Sequence, residues 1–533
     1  MSSVPGYDRL FGDPDVLPVD DARSVYSPAA YLADLLELAG EELRHRRPDL
    51  AEVPLDGHDS YAELPYLTIV SEVLAGQVAE PGGDAFDTLA ALRYPFLAPF
   101  SLGRERLRQA LRELGVEPVE LYRRFATRID ADVVAREYLG LAPADVTMVT
   151  TVLGDGPELR DCYHLDPADP DGFARLAETD LFCRAASLTG ADLRQLLWGA
   201  LGVTERSAAS AFFVHQGAPV ALDEAGQRLV GDGGSAVPPA WFDRVNRFVR
   251  LARRTGLSFV DLDLVLRSCC GNRIDQAALR VLAVVTWLQR TCDLPVDVVV
   301  SLVAPLSVLG VGDGDVPADP YNRIFNVPFV ALGGGVVPGP GPLPAPYAGL
   351  PSLTCAGDVL APANADYRRR VATAVGLVEA DLTAVVGRYR DRDEAMPRLF
   401  GRPEPDLADL SLLYRVGRLT AVLGVGVDDL FQLLTALGSD PSLQRYTAFP
   451  VLIDTGVQGL DYLGVLGGGD IDSGLWLIQT LVAVARWLQA TGMSVAELLE
   501  IQGVPTAEPD LTVLDGIRQQ LTPGPTATIF QSA

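Results

Sequence analysis

The 533-residue chain contains no lysine: all 43 of its formal cations are arginines, set against 70 carboxylates for a net charge of −27. A body this acidic repels phosphate backbones, so nucleic-acid binding would require a local basic patch. The two longest basic runs, Arg44-His45-Arg46-Arg47 and Arg368-Arg369-Arg370, stand among acidic residues and read as solvated helix faces, which argues against a nucleic-acid partner. Histidine is scarce, at positions 45, 58, 164 and 215 only, which starves nucleophilic triads and histidine zinc sites of material. Six cysteines (162, 183, 269, 270, 292 and 355) show no framework spacing and read as reduced, mostly buried residues. The sequence has no Gly-x-Ser-x-Gly, no Walker loop, no Cys-x-x-Cys and no His-Glu-x-x-His. The longest apolar stretch, Leu294 to Val311, is broken by Pro295, Asp297 and Pro305, so it reads as core and not as a membrane span. The first residues, Met1 to Asp8, offer neither a basic region nor an apolar run, which argues against a Sec signal peptide.

What is present points to a folded helical protein. Hydrophobic residues make up 48% and charged residues 21%, ordinary values for a globular chain, and the length suggests about three domain-sized units. Stripes such as Tyr31-Leu32-x-x-Leu35-Leu36 and Leu430-x-x-Leu433-Leu434 have helical spacing, whereas strict alternation is rare. The expected fold class is therefore all-α, an irregular array of capped helix-turn-helix units with little strand.

One pattern recurs: glycine, apolar, a capping residue, two free positions, an acid, apolar. It stands at Gly115, Gly140, Gly256, Gly376, Gly424 and Gly492, and again without the glycine at Leu188-Thr189-Gly190-Ala191-Asp192-Leu193. The glycine suits the left-handed end of one helix, Ser258 or Ser494 caps the next, and Asp261 or Glu497 closes a capping box. Uneven gaps between copies exclude a strict solenoid. Two Gly/Pro-rich stretches interrupt this texture, the second with a short strand near Pro328. The expected organisation is a helical region over 1–215, a loop over 216–240, a helical region over 241–309, an excursion over 310–363 and a helical region over 364–533.

Chemistry-bearing constellations are weak. Asp169, Asp171, Gly172 and Glu178 match four positions of a calcium loop, but Pro167 occupies the first, where a carboxylate ligand is needed; an acidic helix cap is the expected role. Cys162-x-His164 offers two metal ligands with no second pair nearby. Asp391, Asp393 and Glu394 would suit a hydrolase only if two of them faced each other across a cleft. No catalytic, cofactor-binding or metal residue is assigned, no cofactor is expected, and the chain reads as non-enzymatic.

The N-terminal blocks carry a resemblance. Leu10-Phe11-Gly12-Asp13 is followed by Arg23-Ser24-Val25-Tyr26-Ser27-Pro28-Ala29-Ala30-Tyr31-Leu32, then Arg46-Arg47-Pro48-Asp49-Leu50, then Leu64-Pro65-Tyr66-Leu67. This order resembles the A subunit of Tc (ABC-type) insecticidal toxin complexes and the related virulence-plasmid A proteins. Downstream, Asp319-Pro320-Tyr321-Asn322-Arg323-Ile324-Phe325-Asn326-Val327-Pro328 is similar to the family's "LYDRLFNNP" segment, and Asp409 to Val416 to its "LSALYRVA" segment. The signature residues on this basis are Ser24, Ser27, Pro28, Ala29, Ala30, Tyr31, Leu32, Arg47, Pro48, Asp49, Pro65, Tyr66, Leu67, Tyr321, Phe325, Asn326 and Pro328.

The resemblance implies a scaffold role in the outer helical shell of a pentameric translocation machine, without direct membrane insertion by this segment. It also implies as partners other segments or copies of the toxin A component, B and C subunits and a host surface receptor, with release from the bacterium. Because family members are much longer, the chain is expected to correspond to the N-terminal shell alone, as a fragment or as one piece of a split subunit. The alternative is a free-standing helical adaptor or effector. Read from physics alone, Ser27 caps a helix, Pro28 suits its first turn, and Tyr31, Leu32, Leu35 and Leu36 are expected to form a buried stripe.

Overall fold

The structure, a computed structural model, describes residues 27–46, 65–78, 83–118, 121, 125, 130–197, 212–217, 219–308, 319–325, 329–332, 335–338, 358–390, 407–439 and 471–501. Helices dominate them, and the strands form two antiparallel hairpins, Ala221–Leu222 with Leu229–Val230 and Phe329–Leu332 with Gly335–Pro338. The chain divides into two compact units, Met1–Thr88 and Leu89–Ala533.

In the first unit, Ser27 caps the helix Pro28–Leu38 by accepting from the Ala30 amide at 3.1 Å, and Pro28 fills its first turn. The expected buried stripe is not buried. Tyr31 is 67% exposed, Leu32 39% and Leu35 40%, while Leu36 is half-buried. The helix Tyr66–Val78 likewise buries no residue. The short helix Gly40–Arg46 is the neighbour that contacts the first, and one short helix against another can cover little apolar area.

The second unit is built on two helices that are buried nearly all round. Gln276–Cys292 buries Ala278, Leu279, Val281 to Thr286 and Leu288, and packs against Ala131–Tyr138, Val296–Ser301 and Ile471–Thr491. Leu407–Leu423 buries Asp409 to Gly417, Leu419 and Leu423, and packs against Ala365–Val375, Val296–Ser301, Val427–Ser439 and Ile471–Thr491. A helix apolar on every face belongs at the centre of a bundle. Among the described residues no single helix is long and apolar enough to cross a membrane; Leu407–Leu423 and Val427–Ala436 pass by composition only as a pair, bent by 90°.

The recurring junction has the expected physics. All six pattern glycines take positive φ, from 66° at Gly115 to 77° at Gly140. At Gly492 the chain reverses, the Met493 amide donates back to the Leu488 carbonyl, and Ser494 and Glu497 exchange hydrogen bonds to each other's amides at 3.3 and 2.7 Å. These bonds hold the Glu497 carboxyl below its ordinary range. In the copy without a glycine, Ser187 takes the left-handed position instead (φ 53°), and Thr189 and Asp192 form the full box. Asp293 makes a further junction of this kind (φ 51°), which the glycine pattern did not reveal.

Gly417 marks the tightest helix contact. A Cβ there would lie 2.1 Å from the Val375 carbonyl oxygen, at the end of the neighbouring helix. Gly387, by contrast, has nothing within 4 Å. Gly417→Ala is therefore expected to destabilise the protein by about 2 kcal/mol or more through overpacking, whereas Gly387→Ala raises stability by roughly 0.5–1 kcal/mol. Urea unfolding of both variants checks the pair; equal effects would contradict the close approach.

Candidate functional site

Two of the downstream signature blocks meet on one short segment, Ser301 to Ser307. From the helix Leu407–Leu423, Arg415 reaches across with its guanidinium and donates from Nε to the Ser301 carbonyl (3.2 Å) and from Nη2 to the Ala304 carbonyl (3.0 Å). These carbonyls lie at the end of the helix Val296–Ser301, where orphan acceptors and the negative dipole end favour a cation. One turn earlier on the same helix, Ser411 accepts from the Leu306 amide at 3.0 Å. Ser411 and Arg415 are both 1% exposed. Burial pushes the Arg415 pKa down to about 10, which leaves it charged at neutral pH.

The other block enters from the opposite side. The Tyr321 amide donates to the Ser307 carbonyl at 3.2 Å, and Arg267 donates to the Ser307 hydroxyl at 3.4 Å. Arg323 pairs with Asp297 on the helix Val296–Ser301. Tyr321 and Phe325 are buried and in ring contact, with centroids 5.3 Å apart.

Arginine serves the same purpose elsewhere. At the end of the helix Pro239–Thr255, Arg250 donates to the carbonyls of Arg93 and Ala98 and lies 4.8 Å above the Phe96 ring. Arg254 donates to the carbonyls of Leu97 (2.7 Å) and Pro99 (2.9 Å), and Arg253 to those of Ala186 (2.9 Å) and Ser187 (2.6 Å). Arg368 was expected on a solvated face; it instead turns inward and donates to the Val359 (3.0 Å) and Ala361 (2.7 Å) carbonyls. Its neighbour Arg369 does stay exposed. The reason is the turn before this helix, whose carbonyls have no helical partner of their own.

Two buried carboxylates pin loops. Asp243 pairs with Arg247 (2.9 Å) and accepts from the Leu153 amide (3.1 Å); Asp263 pairs with Arg267 (2.7 Å) and accepts from the Phe213 amide (2.9 Å). Burial pushes the Asp263 pKa up, and Arg267 and the amide oppose that shift.

The remaining candidates sit apart from this arrangement. In the near-calcium loop, Asp169 pairs with Arg175 and accepts from the Asp171 amide (3.0 Å), while Asp171 and Glu178 stand at the starts of two successive helices. Among the described residues no group of three His, Cys, Asp or Glu side chains is placed to hold a metal. Cys162 is buried, and burial raises its thiol pKa. His164 stacks on Tyr94 (5.3 Å) beside a cleft of about 840 Å³ that Arg93, Asp161 and Asp166 also line. Pro65, Tyr66 and Leu67 begin an exposed helix, and Ala29 and Ala30 lie in the helix that Ser27 caps. Ser24, Arg47, Pro48, Asp49, Asn326 and Pro328 lie outside the described residues, as do Asp391, Asp393, Glu394 and Cys355. Sequence reasoning missed Ser411, Arg415 and Arg250; the helical spacing of Ser411 and Arg415 within the Leu410–Val416 block was the available signal.

The arrangement supports packing more directly than catalysis. Arg415→Met keeps the apolar stem and removes the fork, so it is expected to lower unfolding free energy by about 3 kcal/mol through two lost charge-assisted bonds. Arg415→Lys should recover only part of that, because its donors all sit on one nitrogen and do not match the separate Nε and Nη2 positions from which Arg415 reaches the two carbonyls. Denaturant midpoints decide; a neutral Arg415→Met would contradict the clamp.

Comparison with known proteins was consistent with this reading. Residues 1–129 match the profile of the Salmonella virulence plasmid 28.1kDa A protein family. Toxin subunit YenA1 of Yersinia entomophaga is 30% identical over 135 residues, which cover 22% of this chain and 12% of YenA1. The cryo-EM structure of Morganella morganii TcdA4 superposes with a TM-score of 0.58 at 14% identity, covering 95% of this chain and 25% of TcdA4. That of Yersinia pseudotuberculosis TcaA-TcaB gives a TM-score of 0.43 at 16% identity, covering 95% of this chain and 21% of that one. The chain thus spans a quarter or less of the length of the relatives it matches. Over its first quarter the chain is thus similar in sequence to the virulence-plasmid A protein family and to toxin subunit YenA1, and the fold of the whole is similar to part of TcdA4.

Proposed function

We propose that this chain is a non-enzymatic structural segment of the outer shell of a Tc-type toxin A component. The observation that carries the reading is the coincidence of two independent features: the virulence-plasmid A profile over residues 1–129 and a TcdA4-like helical fold over 95% of the chain. The signature blocks beyond residue 129 support it, since Tyr321, Ser411 and Arg415 hold separate elements together. Within this reading, 1–215, 241–309 and 364–533 are successive helical stretches, and 216–240 and 310–363 interrupt them; neither interruption is purely a surface excursion, since Val220 and Leu229 in the first and Tyr321 and Phe325 in the second are buried. Its partners are other segments or copies of the toxin A component, B and C subunits and a host surface receptor. It leaves the bacterium with the assembled toxin.

The test is the solution mass of the purified chain by light scattering, alone and with the toxin-component chains encoded beside it. The reading predicts a species containing five copies of the 56.9 kDa chain once those neighbours are present. A chain that remains at its monomer mass and binds none of them would overturn the reading in favour of a free-standing adaptor. Turnover of a substrate by the purified chain would overturn its non-enzymatic part.

A further inference from the structure

Of the described histidines, His215 alone is buried, at 1% exposure. It sits in the short turn Phe213–His215 and joins two other parts of the chain. Its Nδ1 accepts from the Val220 amide at 3.2 Å, which fixes the tautomer and leaves Nε2–H to donate to the Leu196 carbonyl at 3.2 Å. The ring therefore ties the helix Gly190–Leu196 to the segment that leads into the hairpin Ala221–Leu222/Leu229–Val230.

Its surroundings suit only the neutral ring. The helix Pro239–Thr255 faces it with the Trp241 ring, whose centroid is 6.5 Å away, and with Arg244, which donates to the Val214 carbonyl at 3.0 Å. The indole Nε1 of Trp241 and the Nη2 of Arg244 are both buried donors without an acceptor among the described residues. The helix Gly190–Leu196 contributes a carbonyl. The helix Phe259–Cys269 contributes Asp263, which binds the turn at Phe213, two residues before His215; that carboxylate is already engaged by Arg267 and the Phe213 amide. A proton on Nδ1 would meet the Val220 N–H donor head-on and place a second cation beside Arg244.

We infer that His215 is an acid-sensitive latch: its protonation releases the Val220–Val230 hairpin segment from the bundle while the surrounding helices stay folded. The segment's other ties are the Thr179 amide to the Gln227 carbonyl (2.9 Å), the Thr179 hydroxyl to the Gly226 carbonyl (3.2 Å), the Leu229 amide to the Ala177 carbonyl (2.7 Å), the exposed Arg228 to the Ala174 carbonyl (3.0 Å), and the buried side chains of Val220 and Leu229. Burial, helped by Arg244 and opposed by the Leu196 carbonyl, lowers the His215 pKa from 6.5 to about 4. A lowered folded-state pKa means the latch is at full strength above pH 6.5 and weakens as the pH falls toward 4, because the opened state takes up the proton first.

Hydrogen–deuterium exchange of the intact chain tests this. After correction for intrinsic rates, opening of residues 219–230 is expected to increase by about tenfold per pH unit between pH 6.5 and pH 4, while Gln276–Cys292 keeps its protection. In His215→Gln, which cannot take up the proton, opening of 219–230 should be independent of pH across that window. Asp263→Asn, which keeps an acceptor for the Phe213 amide, should leave the wild-type pH profile in place. The latch is overturned if His215→Gln retains the acid dependence, if Asp263→Asn abolishes it, or if hairpin and central helix open together. Histidine NMR on the folded wild-type chain gives a check that needs no variant: His215 titrating near 6.5 would also overturn it.

Discussion

The guanidinium-to-carbonyl clamp is the interaction on which the second unit depends. An array of short helices joined by tight turns generates many helix ends, and each end leaves carbonyl groups without an intrahelical partner. Where those ends are buried, they need donors that reach across from another element. Arg415 does this for Ser301 and Ala304, Arg250 and Arg254 for the run from Arg93 to Pro99, Arg253 for Ala186 and Ser187, and Arg368 for Val359 and Ala361. The fork geometry lets one side chain hold two carbonyls, and weak hydration makes its burial cheaper than that of an ammonium. The absence of lysine therefore has a structural side: every cation in the chain can serve as a clamp.

The signature blocks gain a physical meaning from this. The described parts of the 319–328 and 409–416 segments, which carry the resemblance beyond residue 129, fasten separate helices to the turn at 301–307 through the Tyr321 amide, Ser411 and Arg415. The first unit differs. Its blocks around Pro28–Leu32 and Pro65–Leu67 form helices whose apolar side chains are exposed. Among the described residues, Tyr31, Leu32, Tyr66 and Leu67 of the N-terminal blocks are thus exposed, whereas Tyr321, Phe325, Ser411 and Arg415 are buried.

Much of the fold was legible because its determinants are local. Left-handed glycines followed by Ser-x-x-Asp or Ser-x-x-Glu specify a helix end and a helix start within seven residues, so Gly256 to Leu262 and Gly492 to Leu498 could be read as junctions without knowing what they pack against. Burial was legible only where tertiary partners exist. The stripe Leu430, Leu433 and Leu434 is buried, whereas the stripe Tyr31, Leu32 and Leu35 is not, although both have helical spacing. The partners of the long-range clamps were not legible, since Arg250 is separated from Ala98 by 152 residues and Arg415 from Ser301 by 114; the helical spacing of Ser411 and Arg415 was the only signal. In one sequence, an arginine that caps a turn looks the same as one on a solvated face, as Arg368 shows even with its turn only seven to nine residues away.

The most direct measurement is the stability and local exchange of Arg250→Lys/Arg254→Lys, which conserves charge and removes only the fork. If guanidinium clamps hold the array together, the double variant unfolds at a clearly lower denaturant concentration and the amides near 93–100 lose protection first. Unchanged midpoint and exchange would show that positive charge alone suffices, and would contradict the account.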